Sequence, residues 1–226
     1  MCLTITKNNR AKQLSWMFRP IIYQEFESYK DLITRILVKK SDRKIESVLK
    51  EARKPTIYYS VLEDSSFYYI YYMVYHPFDW SKFPIPCLRS LDEHDHDTEG
   101  ILLRVHKSNP VDKHLPVNMV TVAHNTFLVQ PRAKGKVCIK SGSHAIYPYE
   151  QSTPITNHLI YYDYKLENMR KWSNKEWERM RACLKGVNMP DEQFCSAWLS
   201  TEWHSVGDIW NFPNKIFDLA FKFNLI

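Results

Sequence analysis

Between Thr56 and Lys140 the chain is a succession of short runs rich in β-branched and aromatic residues, TIYYSVL, SFYYIYYMVYH, GILLRVH, VNMVTVAHN and KVCIK, parted by polar or proline-containing breaks. Runs of that length and composition satisfy a pleated, buried surface and are too short and too β-branched for helices. Their density predicts a central antiparallel β-sandwich, joined by a later run, HLIYYDY. Helices are expected only outside this block, so the fold class is α+β: N-terminal helices, a sandwich core, and a C-terminal helix packed around it.

Upstream, Leu32, Ile33, Ile36 and Leu37 recur at helical spacing between Tyr29 and Lys40, and a second helix is expected from Lys44 to Arg53 around Ile45, Val48 and Leu49. Downstream, SNKEWERMRACLKG has Ser173 as N-cap, Glu176 closing a capping box and Gly186 near the stop, with Trp177, Met180 and Leu184 on its buried face. The stretch from Asp191 to Ile226 carries Trp198, Trp203, Trp210, Phe212 and Phe217, which are expected to pack back on the sandwich. With no repeat and no flexible linker, residues 1–226 read as a single domain: a helical attachment over 1–55, a sandwich core over 56–165, and a helical, aromatic-rich end over 166–226.

At 226 residues the chain buries enough surface to fold without cross-links. Its five cysteines are scattered and form no CxxC pair, which predicts neither a disulfide framework nor a zinc knuckle and points to a reducing, cytoplasmic setting. No stretch approaches the roughly 20 apolar residues of a membrane span, and the first residues carry no signal-peptide core.

The chemistry concentrates where charge appears abruptly at the ends of two apolar strands, YYMVYHPFDWS and DEHDHDTEGILLRV. Asp92, His94, Asp95, His96, Asp97 and Glu99 crowd a few positions, and their carboxylates repel one another unless a cation sits among them. Strand alternation puts Asp97 and Glu99 on one face, within reach of His94 from the preceding loop and of Asp79 from the neighbouring strand end. One imidazole among oxygen ligands suits Mg²⁺, Mn²⁺ or Ca²⁺, and suits Zn²⁺ less. The bland alternative is a solvated acidic loop.

The segment EHDHDTEG resembles the GHRHDWE segment of the necrosis- and ethylene-inducing peptide 1-like proteins and the HxHDxEG pattern of Vps62-like domains. YYMVYHPFDWS is similar to the strand and loop that supply an aspartate in those families, and SGSHAIYPY to a later stretch with a small residue, histidine and aromatic residues. The resemblance covers roughly Tyr69 to Tyr149. It implies a β-sandwich with one divalent cation held by Asp79, His94, Asp97 and Glu99, directly or through water, with His144 behind them; His124 and His96 are further candidates for that supporting role. Glu93 stands where those families have glycine and Thr98 where they have tryptophan, and the secretion signal and paired cysteines of the plant-toxic members are missing, so cytolysis and sphingolipid binding do not carry over.

Thirty-one Lys and Arg against 25 Asp and Glu leave a net charge of +6, which favours an acidic partner. The stretch from Pro131 to Tyr149 contains no acid, which makes Arg132, Lys134, Lys136 and Lys140 candidate phosphate contacts, with Lys39, Lys40, Arg43 and Lys44 as a second set. No P-loop, nucleophile elbow or HExxH helix is present, and no DNA-binding motif. A non-catalytic, metal-stabilised module binding structured RNA or the ribosome is therefore the leading expectation. A metal-dependent hydrolase or nuclease is the alternative, with His76, His96 or His144 as general base, and a binder of anionic membrane surfaces or glycolipids comes third. The compact, basic chain is also similar in kind to a microsporidian-type ribosome dormancy factor, a likeness without a motif that implies occupation of a tRNA site and inhibition of translation.

Overall fold

A computed structural model describes residues 4–34, 55–80, 93–108, 117–123, 126–133, 135–149, 153–154 and 169–183. The strands are β1 (Thr4–Ile5), β2 (Ile21–Glu25), β3 (Ile57–Glu63), β4 (Phe67–Asp79), β5 (His94–His106), β6 (Val117–Ala123), β7 (Thr126–Ala133), β8 (Lys136–Ile139), β9 (Ile146–Pro148), β10 (Thr153–Pro154), β11 (Met169–Lys171) and β12 (Arg181–Cys183). The helices among the described residues are α1 (Asn8–Met17) and α2 (Asn174–Met180). The protein is thus mixed α+β and built largely of strands in two sheets. The larger runs β1-β3-β4-β5-β6-β7-β10, with β12 also paired to β3, and the smaller runs β11-β2-β8-β9.

β4 is the spine of the larger sheet because its sequence is apolar or aromatic at successive positions, so both of its faces can be buried. Ile70, Tyr72 and Val74 project into the same core as Ile57, Tyr59 and Val61 of β3 and Ile101, Leu103 and Val105 of β5. The smaller sheet supplies Ile22, Val137, Ile139 and Ile146 to that core, and the helices supply Leu14, Trp177 and Met180. The Tyr72 hydroxyl is satisfied by donating to the Ser15 carbonyl at 2.7 Å, and Trp177 meets the Tyr72 ring edge-on at 5.5 Å. On the other face of β4, Tyr71 lies over Gly100, where an added Cβ would come within 2.6 Å of the Tyr71 hydroxyl oxygen. Cys138 packs as a small apolar group, its thiol pushed up to about 12 by burial, against the pull of Lys140.

Three expectations are corrected. Over its described residues the N-terminal region is not helical alone: beside α1, β2 is a strand of the smaller sheet, parallel to β8, and β1 pairs with β3. The helix expected from Tyr29 is, over its described part, a single 3-10 turn at Tyr29–Asp31 followed by extended Leu32, because Asp31 is drawn into the interior and Thr34 donates its N–H to Tyr75 at 2.9 Å. The pairing is not wholly antiparallel, since β12 also runs parallel to β3.

The capping box of α2 is present: Ser173 N–H donates to the Glu176 carboxylate at 2.8 Å and Glu176 N–H to the Ser173 hydroxyl at 3.2 Å. The helix stops at Met180, short of the expected end, and Arg181–Cys183 pairs with Ile57–Tyr59 on the edge of β3, which satisfies backbone groups an open edge would leave unpaired. The expected helix 44–53, the run HLIYYDY, Gly186 and the aromatic C-terminal stretch lie outside the described residues. Among the described residues no helix is long and apolar enough to cross a membrane.

Candidate functional site

At one end of the core the last residues of β4, the first residues of β5, the turn between β8 and β9, and the 3-10 turn after β2 meet. Antiparallel register sets Asp97 opposite His76 and Glu99 opposite Val74, so all four share the face that carries Ile70 and Tyr72 into the core. Asp97 and Glu99 are 1% and 2% exposed. Asp79 pairs with His94 three positions beyond the His76–Asp97 pair and is also buried.

The turn Ser141–His144 brings the decisive partner. His144 is the non-glycine residue with positive φ among the described residues, at 51°, a conformation that costs about 1–2 kcal/mol for most side chains. The bend aims its ring inward, where Nδ1 lies 2.9 Å from an Asp97 oxygen and Nε2 lies 3.3 Å from Asp31. The Asp31 contact is a charge contact more than an aligned hydrogen bond. Burial alone would lower the His144 pKa, but the carboxylates of Asp31 and Asp97, aided by the charge of Asp79, raise it to about 9. At neutral pH His144 is therefore an imidazolium, with a proton to hold and none to accept.

His76 lies flat against that imidazolium, ring centres 3.8 Å apart and planes 3° from parallel. Complete burial, reinforced by the neighbouring positive ring and opposed by Asp31, holds its pKa well below the ordinary value, so His76 is neutral. Neither of its ring nitrogens makes a hydrogen bond of ordinary geometry among the described residues.

Asp31 is the anchor of the cluster. One carboxylate oxygen accepts from the backbone N–H groups of Glu27 and Ser28 and from the Ser141 hydroxyl, at 2.9, 2.8 and 2.9 Å. The other accepts from the Trp80 indole at 2.8 Å and the Gly142 N–H at 3.0 Å. Desolvation acts to raise its pKa, and these donors together with His144 outweigh it and hold the group far below the usual carboxylate range. Beside it, Glu25 accepts the Ser141 N–H at 3.0 Å and pairs with the Lys140 ammonium at 2.9 Å.

Of the residues read from sequence as a metal site, Asp79, Asp97 and Glu99 lie at these buried strand ends, and the backbone of His94 is in register with Asp79. The side chains of His94 and His96 are outside what the structure describes, as is His124. The oxygen donors fit a hard divalent cation in chemistry. Among the described residues, however, no three His, Cys, Asp or Glu side chains converge on a point a cation could occupy. Glu99 lies two residues beyond Asp97 along the strand, roughly 6–7 Å for that rise.

Of the candidate phosphate contacts, Lys140 is turned inward to Glu25 and Lys136 sits over the Tyr149 ring at 5.2 Å. Arg132 is in β7, with a side chain outside the description, and Lys134, Lys39, Lys40, Arg43 and Lys44 fall outside the described residues. Asp31 was invisible to motif reading; its one local signal is the Ser28-x-x-Asp31 spacing, a capping box that the structure contains.

No protein-family model and no curated protein matches the chain. Among solved structures it is similar to a triple mutant of NLPPya (TM-score 0.47, 12% identity, 86% of this chain and 83% of that chain). It is also similar to NLPPya in complex with glucosamine (0.46, 13%, 84% and 81%), and to a structure described as a toxin fold for microbial attack and plant defense (0.45, 14%, 84% and 82%).

Proposed function

We propose that the protein is a non-catalytic binding module whose core end is stapled by one divalent cation among Asp79, His94, Asp97 and Glu99, with His144 holding Asp97 from behind. The observation that carries this reading is the donor set: Asp79, Asp97 and Glu99 are buried at the adjoining ends of β4 and β5, and carboxylate oxygens gathered out of solvent are the ligands a hard divalent cation takes. His144 supports a structural role for the site: it is sealed from solvent and committed to two carboxylates, as a residue that orients a ligand is.

The test is a metal titration of chelator-treated protein followed by thermal unfolding. Saturation at about 100 times Kd contributes about 2.7 kcal/mol, so the midpoint should rise by about 5–10 °C for a domain of this size. Asp97→Asn and Glu99→Gln should each remove most of that rise. A wild-type midpoint indifferent to Mg²⁺, Mn²⁺, Ca²⁺ and Zn²⁺ would sink the reading.

Structured RNA or the ribosome is the partner class that the net charge of +6 favours. With Lys140 committed to Glu25, phosphate contact would fall to Arg132, Lys134 and Lys136. Binding to ribosomes should then weaken steeply with salt, and the double change Lys134→Glu, Lys136→Glu should lower affinity by about tenfold or more. Sedimentation with ribosomes that is unaltered by both removes this part of the proposal.

A further inference from the structure

A cavity of about 100 Å³ opens between the loop after β2 and helix α2. Its floor is apolar and closed: Ile33, Trp172 and Met180 are 4%, 4% and 6% exposed. The polar group within that floor, Gln24, is already satisfied, donating to the Asp31 carbonyl at 2.8 Å and accepting from the Trp172 indole at 3.2 Å. Its lips are Phe26 and Leu32, which remain 52% and 40% exposed. Large apolar side chains left in water beside a cavity mark a surface shaped for an apolar guest.

The rim carries two guanidinium groups, Arg170 and Arg179. Arg170 is held by Glu176 at 2.5 Å, and the same carboxylate also takes the Ser173 hydroxyl and N–H. Arg179 is exposed and has no hydrogen bond or ion pair among the described residues. The one other acid on the lining, Asp31, has its carboxylate turned away into its own donors. Since that carboxylate also fixes the N–H groups of Glu27 and Ser28, the segment between the two lips is held in place before any guest arrives, which lowers the entropy lost on binding.

We propose that this groove binds a small carboxylic acid with an apolar body about the size of a benzene ring, the body lying between Phe26, Leu32 and Met180 and the carboxylate on Arg179. A closed apolar cavity of about 150 Å³ accepts benzene; this one encloses about 100 Å³ and is open at its lips, so the ring is partly enclosed, and the Arg179 guanidinium, without an ion pair among the described residues, selects the anion. The inference stands apart from the cation reading, because none of the four cation ligands lines the groove.

The experiment compares phenylacetate with its neutral isostere phenylacetamide on the full chain, by calorimetry and amide chemical-shift mapping. Phenylacetate should bind with Kd of about 1 mM or tighter, as befits a ligand of about ten heavy atoms, and should shift amides of residues 26–33 and 170–180. Phenylacetamide should bind about tenfold more weakly. Arg179→Gln should weaken phenylacetate to the level of the amide and leave the amide unchanged, and Phe26→Ser should weaken both. Each variant is at an exposed position, so an unaltered thermal midpoint certifies the fold. Equal affinity for acid and amide, indifference to Arg179→Gln, shifts confined to other residues, or the absence of saturable binding would each overturn the proposal.

Discussion

Asp31→Ala should lower the unfolding free energy by about 3–5 kcal/mol, a range expected when one partner of a buried charged network is removed. The carboxylate holds two backbone N–H groups of its own loop, the Trp80 indole at the end of β4, and the Ser141 hydroxyl and Gly142 N–H of the β8–β9 turn. Truncation strands all of these donors at once and leaves the His144 imidazolium with one carboxylate partner. Equilibrium denaturation by urea reads the loss directly, and a change below about 1 kcal/mol would show that the network is dispensable.

The pH dependence of the same residue has a definite sign. Its folded pKa is depressed, so Asp31 contributes stability that is complete above the unfolded value of about 3.9 and is lost as pH falls toward the folded value. Asp31→Asn cannot take up that proton. Its stability should therefore fall less steeply below about pH 4, by up to one proton or about 1.4 kcal/mol per pH unit.

His144→Asn should cost a similar amount, about 3–5 kcal/mol, in protein stripped of metal. Asparagine tolerates the positive φ of 51° at this position, so the backbone conformation is retained and the loss is assignable to the charge. Without the imidazolium, Asp31 and Asp97 face one another through a buried space with no cation between them. If a divalent cation occupies the adjoining carboxylates, adding it should recover a part of that loss, and Asp97→Asn in the same background should abolish the recovery. A variant as stable as wild type without metal would refute the role assigned to His144.

The strands were legible because their information is local. Tyr69–Tyr75 can only be buried on both faces, and an alternating pattern puts Asp97 and Glu99 on one side whatever the rest of the chain does. The Ser173–Glu176 capping box was equally readable, since donor and acceptor are three residues apart. The segments β2 and α1 were not. Ile21–Glu25 is too short to announce a strand until β8 and β11 flank it, and α1 buries only Ala11, Leu14 and Ser15, too narrow a stripe to produce a strong helical period.

The amino-acid sequence by itself determined that strands dominate, that charge gathers at the ends of β4 and β5, and that Asp97 and Glu99 share one face, since each of these follows from period and composition within a few residues. Only the tertiary structure decided which groups answer those acids. Asp31 and Gly142 are separated by 111 positions, and His144 reaches Asp97 only because a turn in the smaller sheet is pressed against the end of the larger one. Side-chain charge is a property of the residue, whereas the partner that compensates a buried charge is set by which surfaces the core brings together.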